Sequence, residues 1–309
     1  MRIAIVGAGA LGLYYGAMLQ RGGNEVRFLL RRDYDAIRAG GLKVFSTGGN
    51  FHLKEVAGFR RPEEIGEVDL VVVGLKAFAN DRCAELIAPL VDAETLILTL
   101  QNGLGNEEGL AALFGPARVL GGVAFLCSNR GAPGEVHHLG AGKILLGALI
   151  PENGERAKMV AALFRSAGID CTAVADLQKA RWEKLVWNIP FNGICAVTGR
   201  TVADILGSDC GRRLARELMA EVMAAANAQG LSEPVPEEFA DQMITFSAGL
   251  GPYRPSMMID REEGQPLELD AIFAVPLERG AARGVPMPRV ETLLGLLSLA
   301  VQGANEGTA

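Results

Sequence analysis

A chain of 309 residues is long enough for two domains of ordinary size, and 49% hydrophobic against 21% charged residues is ample material for packed cores. The net charge of −6 argues against a nucleic-acid partner, because phosphate backbones are held by basic surfaces. No apolar run reaches bilayer-spanning length. The five dispersed cysteines without a CxxC pair, beside only three histidines, argue against a disulfide framework or a metal site and fit a reducing cytoplasm.

The first half alternates short apolar runs with helical stretches. Strands are expected at 2–6, 25–30, 42–45, 69–74 and 95–100, with helical periodicity between several of them, as at 11–21 and 80–90. Further strands are expected at 119–126, 135–139 and 143–147, the last two joined as a hairpin by the small residues between them. A helix at 155–165 and a strand at 170–174 close this region. After about Ala175 the strand signals stop, and 177–195, 208–229, 236–248, 267–282 and 288–301 all read as helices. Ser208 is a natural N-cap, Gly230 a helix end, and Pro286 and Pro288 separate the last two helices. Strand, helix, strand repeated in this way implies a parallel sheet covered on both faces. The expected organisation is therefore an α/β domain at 1–175 followed by an all-helical domain at 176–309.

Gly7-Ala8-Gly9-Ala10-Leu11-Gly12 follows the first strand and opens a helix, which is the setting that a GxGxxG pattern requires. The first glycine makes the turn, the second lets a pyrophosphate approach the backbone, and Gly12 packs helix on strand. The N–H groups of the helix start, around Ala10 and Leu11, face the phosphates. The first domain is thus expected to be a Rossmann-type doubly wound sheet that binds a dinucleotide. An NAD site commonly carries an acid about 20 residues past the glycines; here Arg31 holds that place, 19 residues after Gly12, with Asp33 close by. A guanidinium suits a 2′-phosphate and offers nothing specific to a bare hydroxyl, so NADPH is favoured.

Two later strands run into Leu75-Lys76 and Gln101-Asn102-Gly103, at the strand ends where ligands of such sheets bind. In KLVWNIPFN, Lys184, Asn188 and Asn192 recur every four residues and would share one helix face. An unpartnered buried ammonium is costly, so this face is expected to line a cleft rather than a core. Pro190 removes one helical hydrogen bond within the stripe.

With these motifs the chain resembles the 2-dehydropantoate 2-reductases, or ketopantoate reductases, over nearly its whole length. The resemblance rests on GAGALG, on Arg31, on Leu75-Lys76, on Gln101-Asn102-Gly103, on KLVWN, and on SMMID with LELD at 256–260 and 267–270. It implies NADPH-dependent reduction of 2-dehydropantoate to (R)-pantoate in pantothenate biosynthesis, with Lys184 giving a proton to the substrate carbonyl. It further implies that Asn188, Asn192 and Ser256 line the substrate site, that Glu268 orients substrate and lysine, and that Lys76 and Asn102 lie near the nicotinamide, Asn102 also near substrate. The stretch GPYRPSM carries Tyr253 and Arg254 where many members have an asparagine; Arg254 reads either as a carboxylate clamp or as a surface residue. His138 reads as structural. The alternatives are a paralogue acting on another 2-oxo acid and a non-catalytic NADP-binding redox sensor, and the presence of both Lys184 and Glu268 counts against the sensor. The long helices could support a homodimer; no membrane partner is expected.

Overall fold

The structure, a computed structural model, describes residues 1–306 and divides into two compact units. The first comprises residues 1–101 and 106–177; the second takes residues 102–105 and those from 178 onward. Residues 307–309, the end of the expected second domain, lie outside the described residues.

In chain order the first unit holds β1 (Arg2–Val6), α1 (Ala10–Arg21), β2 (Glu25–Leu29), α2 (Tyr34–Gly40), β3 (Leu42–Ser46), β4 (Phe51–Leu53), β5 (Ala57–Phe59) and β6 (Leu70–Val73). There follow α3 (Cys83–Ile87), β7 (Leu96–Thr99), α4 (Asn106–Phe114), β8 (Val119–Arg130), β9 (Glu135–Ala148), α5 (Gly154–Ser166) and β10 (Cys171–Ala173). Six parallel strands lie in the order β5-β2-β1-β6-β7-β8, the doubly wound arrangement of a Rossmann sheet. The long β9 extends it, antiparallel to β8 and parallel to β3 and β10. RIAIV, LVVV and LILT lack polar alternation because both faces of these strands are covered. Ile3 and Ile5 pack into one core with α1 and α5, whereas Ala4 and Val6 pack into the other with α3.

Two local expectations change, and one short strand is added. Residues 135–147 form one strand rather than a hairpin, and the reversal lies between β8 and β9. Instead Gly142 and Leu139 are left without a register partner at the shifts opposite Phe125/Leu126 and Cys127/Ser128, bulges that bend the ladder without reversing it. His138 braces this bend: its ring bonds Ser46 Oγ at 2.8 Å and Ala141 O at 2.9 Å and stacks on Tyr14. The segment 80–90 is no single helix. Two 3₁₀ turns, Ala77–Arg82 and Ala88–Leu90, flank the short α3, and Pro89 stands where the second turn begins. Finally, the strand beside β2 is β5, three residues long and invisible to periodicity, while β3 pairs with β4 and β9.

The helical unit consists of α6 (Leu177–Thr198), α7 (Val202–Leu206), α8 (Asp209–Asn227), α9 (Phe239–Ala248), α10 (Ser256–Glu262), a π-turn Asp270–Ala274 running into α11 (Val275–Ala282), and α12 (Pro288–Glu306). Ser208 caps α8 by accepting from Gly211 N–H. Two helices were not expected, α7 and α10, which span less than two helical turns. α7 is nonetheless marked in the sequence by the reciprocal capping of Thr201 and Asp204. Trp182, Val186, Ile189 and Phe191 of α6 anchor a core shared with Leu218, Val222, Phe273 and Val290. Burying each such side chain contributes about 1.5–3 kcal/mol, which more than offsets the one hydrogen bond that Pro190 withholds. α6 therefore runs unbroken across it. No helix among the described residues is long and apolar enough to cross a membrane.

Candidate active site

The glycine loop makes a tight turn from β1 into α1. Gly7 has φ 101°, and a Cβ there would stand 2.3 Å from Leu75 N, so only glycine lets the loop pass against the end of β6. A Cβ on Gly12 would meet Gly7 O at 2.2 Å, the close helix–strand contact that the third glycine serves. At Gly9 a Cβ would meet nothing within 4 Å. Packing within the chain therefore does not explain Gly9. No side chain caps α1 and no acid occupies its first turn, so Ala10 and Leu11 lie at a helix N-terminus suited to an anion. Lys76 is three residues beyond Val73, whose register partner in β1 is Val6, and it follows β6 in extended conformation.

Arg31 is exposed, two residues past Leu29, which pairs with Val6. It has no ion pair among the described residues. Its neighbour Asp33 is buried, bonded to the Arg130 guanidinium and to Gly134 N–H at 3.1 Å. Asp33 is thereby committed inside the unit. At the tip of β2 the exposed side chain without an ion pair among the described residues is thus a cation, Arg31, while the neighbouring acid is buried.

The second unit gathers the other polar residues. Lys184, Asn188 and Asn192 lie on one face of α6; both amides are buried and Lys184 is half-buried. Lys184 Nζ donates to Asn102 Oδ1 at 2.7 Å. Burial pushes the ammonium down to about 7 from its ordinary 10.5; the Arg181 guanidinium pushes the same way and the Glu268 carboxylate opposes both. Glu268 is itself buried. Asn192 Oδ1 accepts from Met257 N–H at 3.2 Å, which ties the start of α10, and with it the exposed Ser256, to the face of α6. Trp187 donates to Ser247 Oγ at 2.8 Å and packs against Phe191 and Tyr253, closing the flank of the helix. Arg254 forms an exposed ion pair with Glu262.

Sequence reasoning missed Arg181. Its signal was its position three residues before Lys184, which places it on the same helix face. It also missed that the segment 102–105, at the end of a strand of the first unit, clusters with the second.

A family model described as Ketopantoate reductase PanE/ApbA matches residues 3–151, and one described as Ketopantoate reductase PanE/ApbA C terminal matches residues 176–301. A 2-dehydropantoate 2-reductase of Nostoc sp. is 38% identical over 297 residues, 94% of this chain and 92% of that one. The crystal structure of a 2-dehydropantoate 2-reductase from Geobacter metallireducens matches with a TM-score of 0.96 at 62% identity, covering 97% of this chain and 100% of the other. D-mandelate dehydrogenase, solved with NADH and anilino(oxo)acetate, shares the fold at a TM-score of 0.89 and 23% identity, with 99% of each chain covered. The sheet order, the glycine-rich turn and the two matched models agree: this chain is an oxidoreductase acting on CH–OH groups and belongs to the ketopantoate reductase PanE/ApbA family.

Proposed function

We propose that this chain reduces the keto group of 2-dehydropantoate to the hydroxyl of (R)-pantoate with NADPH, serving pantothenate biosynthesis, and that Lys184 is the general acid. The observation that carries the proposal is the Lys184 ammonium, 2.7 Å from Asn102 Oδ1 and pushed down to about 7, on a helix face whose neighbours are amides. A general acid works best when its pKa lies near the operating pH, and an ordinary lysine would hold its proton too tightly.

In this reading residues 1–175 hold the cofactor. Gly7, Gly9, Ala10, Leu11 and Gly12 cradle the pyrophosphate, Arg31 meets the 2′-phosphate, and Lys76 and Asn102 serve the nicotinamide end. Gly9, open where a Cβ would stand, and Asp33, bonded elsewhere, both fit NADPH. When bound, NADPH supplies the hydride. Residues 176–309 hold the 2-oxo acid. Lys184 hydrogen-bonds the keto oxygen, stabilises the negative charge that builds there, and transfers its proton to it, leaving a neutral amine that regains a proton from solvent. Asn188, Asn192 and Ser256 hold the carboxylate and hydroxyl of the substrate, while Glu268 keeps Lys184 charged and oriented.

The test is the loss of NADPH absorbance with 2-dehydropantoate, beside a panel of other 2-oxo acids and an NADH control. Turnover specific to NADPH and to 2-dehydropantoate is expected. Turnover with a different panel member would move the substrate, and turnover with none would overturn the reading.

A further inference from the structure

The helix that follows Glu268 contains one carbonyl that its own ladder does not satisfy. At the π-turn Asp270–Ala274, the N–H of Val275 reaches back five residues to Asp270 O instead of four to Ala271 O. The next residue, Pro276, has no N–H to give. Ala271 O therefore has neither an α-type nor a π-type donor from within its helix. Ala271 is buried, where an unpaired carbonyl is costly. Its donor comes from elsewhere in the same unit: Leu104 N–H, at 2.9 Å.

Leu104 belongs to the four-residue segment whose first member, Asn102, accepts from Lys184. Between them Gly103 has φ 84°, and a Cβ there would stand 2.2 Å from Ala271 O. Only glycine permits that approach. Two hydrogen bonds two residues apart thus fix one short segment, one to the π-turn and the other to the lysine.

We propose that Pro276 and the π-turn it bounds are positioning elements for the reduction, freeing the Ala271 carbonyl to seat Leu104 and so holding Asn102 Oδ1 at the Lys184 ammonium. The proposal rests on Lys184 as the general acid. Given an N–H at position 276, the helix can reclaim Ala271 O in either of two ways. The new N–H can take it across a continued π-turn, or the turn can relax to α and Val275 N–H can take it. Both compete with Leu104 and loosen the segment. The ammonium then loses an acceptor, which favours the neutral amine; the Arg181 charge acts in the same sense and that of Glu268 against it.

The experiment compares Pro276→Ala and Gly103→Ala with the unmodified chain, and with Asn102→Ala to set the scale. Amide hydrogen exchange reads the Leu104 bond, NMR of the Lys184 side chain reads its titration midpoint without substrate, and kcat reads the reaction. The expected result is loss of Leu104 protection, a Lys184 midpoint lower by about one pH unit, and a kcat at pH 8 reduced about tenfold, as loss of a hydrogen bond to a charged group implies. The two variants attack the contact from its opposite sides, so failure of one to fold leaves the other to decide. Unchanged Leu104 protection in Pro276→Ala overturns the proposal, as does lost protection with an unmoved Lys184 midpoint and kcat. An unmodified chain that reduces no 2-oxo acid, while the Lys184 midpoint still falls in the variants, would remove the functional reading and leave the positioning role standing.

Discussion

Asp33 gives its carboxylate to the Arg130 guanidinium and to Gly134 N–H, at 3.1 Å from the latter, and is 2% exposed. Breaking that arrangement to reach a ribose would leave Arg130 without its partner and a buried N–H unsatisfied, at a cost of about 1–3 kcal/mol for the N–H alone. On the proposed reading Asp33 therefore stays out of the ribose site, and Arg31 is the residue that meets the 2′-phosphate.

Arg31→Ala should raise the Kd for NADPH by about 10- to 100-fold, the loss of a charge-assisted contact, and leave NADH binding within about twofold. Fluorescence titration of both cofactors checks this. Equal weakening of the two would show that Arg31 does not distinguish a 2′-phosphate.

The glycine loop separates fold from function in a single pair of variants. Gly9→Ala adds a methyl group to open space, so thermal stability should hold while cofactor affinity falls steeply, because the methyl group occupies the ligand's approach. Gly7→Ala places a methyl group 2.3 Å from Leu75 N at φ 101° and should lower Tm sharply. Thermal melts paired with NADPH titrations read both. A Gly9→Ala chain that binds NADPH normally would contradict the cradle.

The pH profile follows from Lys184. As the proposed general acid Lys184 must be charged, and burial pushes that group down to about 7. For the free enzyme kcat/KM should be level below that pH and fall about tenfold per unit above it. The Glu268 carboxylate raises the lysine, so Glu268→Gln should move the fall to lower pH. Movement toward higher pH in that variant would contradict the assigned sign.

Much of this was legible in the sequence. Continuous apolar runs marked the central strands, because strands covered on both faces carry no polar alternation, and the four-residue spacing in KLVWNIPFN put three polar groups on one face of α6. Elsewhere the determinants were not local. The three residues of β5 are a strand only because β2 offers an edge. The bulged stretch Leu139–Gly142 looks like a turn until β8 is present to pair with both flanks. The π-turn depends on Pro276 acting together with a donor, Leu104, more than 160 residues earlier in the chain. Arg181 sat in plain view, but its effect on Lys184 needs burial, and sequence does not supply that.

The most direct measurement is single-turnover hydride transfer from bound NADPH to 2-dehydropantoate in Lys184→Ala, beside a titration of NADPH binding. Loss of a general acid that also stabilises the developing oxyanion should slow transfer by about two to four orders of magnitude with NADPH affinity intact. A transfer rate near that of the unmodified chain would contradict the central claim.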